Sequence, residues 1–181
     1  METCGVRAME TWIAFIKSVN VGGRNILPMA DLRSVGAKLG YKNFGTYIQS
    51  GNCVFQTTAT GPEIERDLAN AIEAQFGFAV PVLALTQNTL DAAIAANPYE
   101  AEPNKLHLHF VWEVATPDLA RVEALATKSE QFRLIGKVLY LHAPDGVGRS
   151  KLFARLPKVL GAVTVRNLKT VVKVRDLARS L

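Results

Sequence analysis

Residues 11–56 read TWIAFIKSVNVGGRNILPMADLRSVGAKLGYKNFGTYIQSGNCVFQ, and this stretch decides the fold class. Thr11 to Val19 is rich in β-branched and aromatic residues and predicts a buried strand. A loop with adjacent glycines, Gly22 and Gly23, follows. Pro28 suits the first turn of a helix. Met29, Leu32, Val35 and Leu39 then share one helical face, and Gly40 supplies the stop. Asn43 to Gln49 and Asn52 to Gln56 predict two short strands joined at Ser50-Gly51, a hairpin signal.

Pro62 opens a second helix whose first turns carry Glu63, Glu65 and Asp67, where the helix dipole favours acids. Ile64, Leu68, Ala71, Ile72 and Phe76 form its apolar stripe, Gly77 ends it, and Val80 to Leu85 is the next strand. The order is βαββαβ, that of a ferredoxin-like unit.

Downstream, Thr86 can cap a short helix running to Ala96 before Asn97-Pro98. Leu106 to Trp112 alternates as a strand, with His107 and His109 on one side. Thr116 can cap a helix to about Ala126. Gln131–Ile135 and Val138–His142 predict a hairpin across Gly136-Lys137. Helical segments are expected at Lys151–Leu160, kinked or ended by Pro157, and at Arg166–Ala178. The expectation is an α+β chain with antiparallel sheets. A ferredoxin-like lobe covers residues 11–86, and a related but incomplete α/β lobe with basic C-terminal helices covers 87–181. Strands from both could share one long sheet.

Composition narrows the class. With 181 residues, 49% apolar and 20% charged, the chain is globular rather than disordered. Met1 to Glu10 contains no apolar run, so no signal peptide is expected, and no stretch approaches the ~18 apolar residues of a membrane span. Cys4 and Cys53 lack CxxC partners, which argues against a disulfide frame or cysteine-rich zinc site and for a reducing, cytoplasmic setting. The net charge of +5 is unevenly spread. Arg149, Lys151, Arg155, Lys158, Arg166, Lys169, Lys173, Arg175 and Arg179 face only Asp176 after residue 146, and such a concentration attracts anions.

Three constellations could carry chemistry. In a βαββαβ sheet the loop after the first strand and the hairpin between the second and third lie at one edge. This gathers Asn20, Gly22, Gly23, Arg24 and Asn25 near Gln49, Ser50 and Asn52, where amides and a guanidinium could cradle an anion. The second is Gly146-Val147-Gly148-Arg149-Ser150-Lys151, with Ser150 as helix cap and Lys151, Arg155 and Lys158 on one face. Arg166, Lys169 and Lys173 fall within about a 60° arc of the last predicted helix, so nucleotide or nucleic-acid phosphates could bind. This is not a phosphate-binding loop of the GxxxxGK[ST] type. In the third, His107 and His109 share a strand face and His142 could sit on a neighbouring strand, but no carboxylate accompanies them and no metal is expected. Trp12, Phe15 and Phe55 do not follow the aromatic pattern of an RNA-recognition sheet.

Ser18-Val19-Asn20-Val21-Gly22-Gly23, Thr46-Tyr47-Ile48-Gln49-Ser50-Gly51-Asn52, Gly148-Arg149-Ser150-Lys151-Leu152, and Arg166-Asn167 with Thr170-Val171 together resemble the bacterial family known as domain of unknown function 1697. The likeness runs from about Thr11 to Leu177. It implies a ferredoxin-like α+β architecture and a cytoplasmic bacterial protein, and it brings no established activity. Leu168 and Lys169 stand where the family favours Trp and Asn.

The expected function is binding of a phosphorylated or carboxylated ligand, an anionic small molecule or nucleic acid, at Asn20, Gly22, Gly23, Arg24, Gln49, Ser50, Asn52, Arg149, Ser150, Lys151, Arg166, Asn167 and Lys169. No cofactor and no membrane partner is expected. Two alternatives are open. Acylphosphatase-like hydrolysis would have Arg24 hold the phosphoryl group and Asn52 position water. A homodimer would be built on an open sheet face.

Overall fold

The computed structural model describes residues 7–113 and 116–181, so Cys4 lies outside the described residues. The first lobe comprises β1 (Glu10–Ile16), α1 (Met29–Lys38), β2 (Lys42–Tyr47), β3 (Asn52–Thr57), α2 (Gly61–Phe76), β4 (Val82–Thr86) and α3 (Gln87–Ala95). The second repeats that order with β5 (Leu106–Val111), α4 (Ala120–Glu123), β6 (Gln131–Ile135), β7 (Val138–His142), α5 (Lys151–Leu160), β8 (Val163–Asn167) and α6 (Leu168–Arg179). Each set of strands forms its own antiparallel sheet, ordered β2-β3-β1-β4 and β6-β7-β5-β8. The protein is therefore α+β with two sheets rather than one long one. By compactness the chain divides into residues up to Leu90 with Val174–Leu181, and Asp91–Lys173, so the division falls inside α3 and α6.

The first sheet is apolar on both faces because both are buried. β1 and β3 pair Trp12 with Phe55, and both side chains join Leu32, Ile64, Leu68 and Ile72 in the core under α1 and α2. Those α2 residues recur at helical spacing and have no exposed surface; each such burial contributes roughly 1.5–3 kcal/mol. Phe15, on the opposite face, is buried as well. Gly36 has no Cβ because the Phe44 ring occupies that space. Phe44 in turn stacks with Phe55 at 5.1 Å. A capping box between Thr60 and Glu63 starts α2, and Gly77 in the left-handed region ends it. Glu65 Oε1 accepts from the edge-strand Ala84 N–H at 2.9 Å, satisfying a donor no strand covers.

The second lobe corrects four expectations. It is a complete βαββαβ unit. The missing strand is β8, whose β-branched Val163, Thr164 and Val165 precede the expected helix start at Arg166. Consequently Arg166 and Asn167 lie on a strand, and the last helix begins at Leu168. The expected Thr116–Ala126 helix is a single α-turn, α4. Around it Val122, Leu125 and Ala126 donate to carbonyls three residues back, so tighter turns replace the helix. Pro157 does not end α5, which continues to Leu160. Its core joins Val122 of α4 to Leu139, Leu141, Leu152, Leu156 and Leu160.

Candidate functional site

At the rim of the first sheet, the loop after β1 and the β2–β3 hairpin do meet. Asn20 Nδ2 donates to the Gln49 carbonyl at 2.8 Å and to the Leu27 carbonyl at 2.9 Å, while its Oδ1 accepts from the Leu27 N–H. Asn25 Nδ2 bonds the Ser18 carbonyl. Gly22 and Gly23 form the tip of a tight turn closed by the Arg24 N–H on the Val21 carbonyl, and both have positive φ. Gly51 is also left-handed, and a Cβ there would meet Ile16 at 2.8 Å and Val19 at 2.9 Å. Asn52 is completely buried, its amide donating to the Tyr47 carbonyl and to Ser50 Oγ. These amides hold the rim together through bonds within the chain. Arg24 remains exposed, but the acylphosphatase-like pairing loses its water-positioning partner because Asn52 reaches no surface.

The second constellation is different. Ser150 Oγ accepts from the Phe153 N–H at 2.9 Å and caps α5, whose preceding loop keeps the glycines Gly146 and Gly148. Arg121 of α4 and Lys151, Arg155 and Lys158 of α5 line an open cleft of about 480 Å³, floored by Leu125 and Ala154. All four cations are exposed. Arg121 pairs with Asp118 at 3.0 Å; among the described residues no ion pair holds the other three. Beyond the cap, Thr127, Glu130, Asp145, Gly146, Gly148, Arg149 and Ser150 line a second cleft of about 410 Å³.

The other expected ligands lie elsewhere. Arg166 Nη1 donates to Thr164 Oγ1 at 3.1 Å and to the Val165 carbonyl at 2.8 Å. Asn167 Oδ1 accepts from the Thr170 N–H at 2.8 Å, which makes it the cap of α6. Lys169 is exposed on α6, and with Arg166 on β8 the expected three-cation arc on one helix does not exist. Arg121, distant in sequence from the basic residues after 146, joins the cleft because the βαββαβ order sets the two helices of a lobe side by side on one sheet face.

The histidines do not converge. Leu106 pairs with His142, so His142 occupies the face opposite His107 and His109. His107 and His109 both meet the Phe153 ring at 5.5 Å. His109 is fully buried, and among the described residues neither of its ring nitrogens finds a hydrogen-bond partner. Burial, then the neighbouring His107, pushes its pKa down to about 4, and burial lowers His107 too.

Fold and site define a class: an α+β protein of two tandem ferredoxin-like lobes with a cationic cleft between two helices of the second. The chain belongs to the DUF1697 family of proteins of unknown function, whose match spans residues 9–140. The conserved bacterial protein SP0830 from Streptococcus pneumoniae has a similar structure, with a TM-score of 0.77 over 94% of this chain and 99% of that one, at 23% identity. That likeness establishes the fold alone. No curated protein matches the chain.

Proposed function

We propose that the protein binds phosphorylated or carboxylated ligands in the α4–α5 cleft. The observation that carries this reading is the gathering of Arg121, Lys151, Arg155 and Lys158 around one opening, with no carboxylate in its lining. Exposed cations this close raise each other's energy, and an anion relieves that repulsion. The start of α5 adds its partial positive charge, and Ser150 satisfies the Phe153 amide while leaving the Lys151 and Leu152 amides outside the intrahelical ladder. Cationic side chains on an open surface supply charge without a cage, which suits several phosphate or carboxylate oxygens better than one buried ion. A cytoplasmic setting belongs to the same reading, with Cys53 buried and outside any disulfide. No helix of the described residues is long and apolar enough to cross a membrane.

Calorimetric titration with inorganic tripolyphosphate at about 50 mM and 300 mM salt tests the proposal. Saturable binding that weakens with salt is expected, because displaced counterions and screened charges both oppose association at high ionic strength. Absence of binding at the lower salt overturns it.

A further inference from the structure

The two edges of the first sheet are finished differently. On β4 the Glu65 carboxylate takes up the Ala84 N–H. β2, the other edge, pairs among the described residues with β3 alone, and residues 42–48 make no backbone–backbone bond outside that ladder. A bulge between Lys42 and Gly45 blunts one end, but over residues 45–47 the register is regular, so alternate N–H and C=O groups there point away from the sheet. Where that edge runs out, the surface turns aliphatic: Ile48 is 51% exposed, Val21 65% and Ile26 57%. One side chain ties the three together. Asn20 bonds the Gln49 carbonyl and both the N–H and the carbonyl of Leu27, and each aliphatic residue is next in sequence to Asn20, Leu27 or Gln49. Ile48 also sits at φ 50°, in the left-handed region, where a β-branched residue is strained. Folding alone would favour Gly or Asn at that position and would not leave three large aliphatic side chains in water at one rim.

We infer that this edge and rim dock an extended polypeptide segment, acidic and bearing aliphatic side chains, which adds to β2 as a further strand. Charge selects the occupant. From the end of β1 to the end of β3 there are Lys17, Arg24, Arg33, Lys38 and Lys42 against Asp31 alone. Among the described residues none of the five cations is in an ion pair. Lys42 lies on the edge strand itself, and Arg33 reaches that strand from α1 by donating to Thr46 Oγ1 at 2.8 Å. A second copy of this chain would set two cationic edges against each other, whereas glutamate or aspartate side chains would be drawn to one. Backbone bonds to β2 supply affinity, and Ile48, Val21 and Ile26 supply apolar contact at the end of the strand.

The probe is a short end-blocked peptide of alternating glutamate and valine, its binding followed by fluorescence anisotropy and by amide NMR shifts. Binding at about 50 mM salt that shifts the amides of residues 45–48 is expected. The same peptide with lysine in place of glutamate, or with its central amides N-methylated, should bind about tenfold more weakly. Ile48→Asn separates folding from docking. It should raise the melting temperature by about 2–4 °C, because Asn tolerates positive φ, yet weaken the peptide about tenfold. The Lys151→Ala/Arg155→Ala/Lys158→Ala variant, which lacks the cationic cleft of the other lobe, should bind the peptide as the wild-type chain does. Absence of binding, or equal binding of the acidic and basic peptides, overturns the inference, and so does binding that disappears with the cleft cations. Sedimentation with phosphatidylglycerol vesicles that Ile48→Asn abolishes, without peptide binding, would assign the rim to a lipid surface and overturn it as well.

Discussion

The same groove occurs twice in this chain, once in each lobe, with opposite character. Between α1 and α2 it is lined by Val35, Lys38, Leu39, Ala71, Ala74 and Gln75, and Lys38 Nζ approaches Gln75 Oε1 across it at 3.4 Å. Between α4 and α5 the equivalent space is lined by four cations. The helices beneath differ in the same sense. α2 carries Glu63, Glu65, Asp67 and Glu73 against Arg66, while α5 carries Lys151, Arg155 and Lys158 and no acid. Folding accounts for the apolar stripes of both helices, because both cover a sheet. It does not account for the charge, because one lobe folds without it. The basic cleft is therefore a property of one copy and not of the architecture.

The largest expected effect breaks that asymmetry. Replacing Lys151, Arg155 and Lys158 together with Ala should weaken tripolyphosphate binding about a hundredfold, near 2.7 kcal/mol, and change the melting temperature little because all three are exposed. Lys38→Ala in the other groove should leave affinity within about twofold. Calorimetry on both variants decides; equal losses would mean the two grooves are alike and the comparison carries no function.

The lobes also differ in how acid should affect them, since His107, His109 and His142 all belong to the second. His109 is held neutral with a pKa near 4, against an ordinary value of 6.5 in the unfolded chain. Between those values the unfolded state binds the extra proton, so this contribution to stability is complete above about pH 6.5 and is lost as pH falls toward 4. Urea denaturation should register about 2 kcal/mol of loss from this site between pH 7 and pH 5, above the range where most carboxylates titrate. His109→Leu should flatten that portion of the profile. An unchanged slope in the variant would show that the ring is not buried neutral.

Much of this was legible in the sequence, unevenly. The first lobe reads clearly because α1 and α2 carry long apolar stripes and stop at Gly40 and Gly77, and the Asn20–Gln49 contact follows from topology alone. The second reads poorly where its elements are short. α4 is one turn and gives no periodicity, and β8 runs into α6 without a loop, so its last two residues, Arg166 and Asn167, were absorbed by the helical pattern after it. Among the candidate residues, charge was legible and polarity was not. Lys151 and its neighbours stand out by composition, but nothing in a sequence separates an Asn or Ser that meets a ligand from one that closes a turn. Asn20, Ser50, Asn52 and Asn167 all have backbone or hairpin partners.

Asn167 makes that distinction measurable, and it has a counterpart in the first lobe. In both lobes the last strand passes directly into a helix, and the strand's final residue accepts from the N–H three positions on: Thr86 from Thr89 at 3.1 Å, and Asn167 from Thr170 at 2.8 Å. If capping is the whole role, Asn167→Ala should cost about 1 kcal/mol, Thr86→Ala about the same or somewhat less, and Asn167→Asp should restore most of the loss, since Asp caps as well as Asn. Tripolyphosphate affinity should be unchanged in Asn167→Ala and Thr86→Ala. If Asn167 instead met an anionic ligand, Asp at this position would put like charge against it, and affinity would fall while stability held. A loss of affinity without a loss of stability in that one variant therefore tells a ligand-binding amide from a turn-closing one.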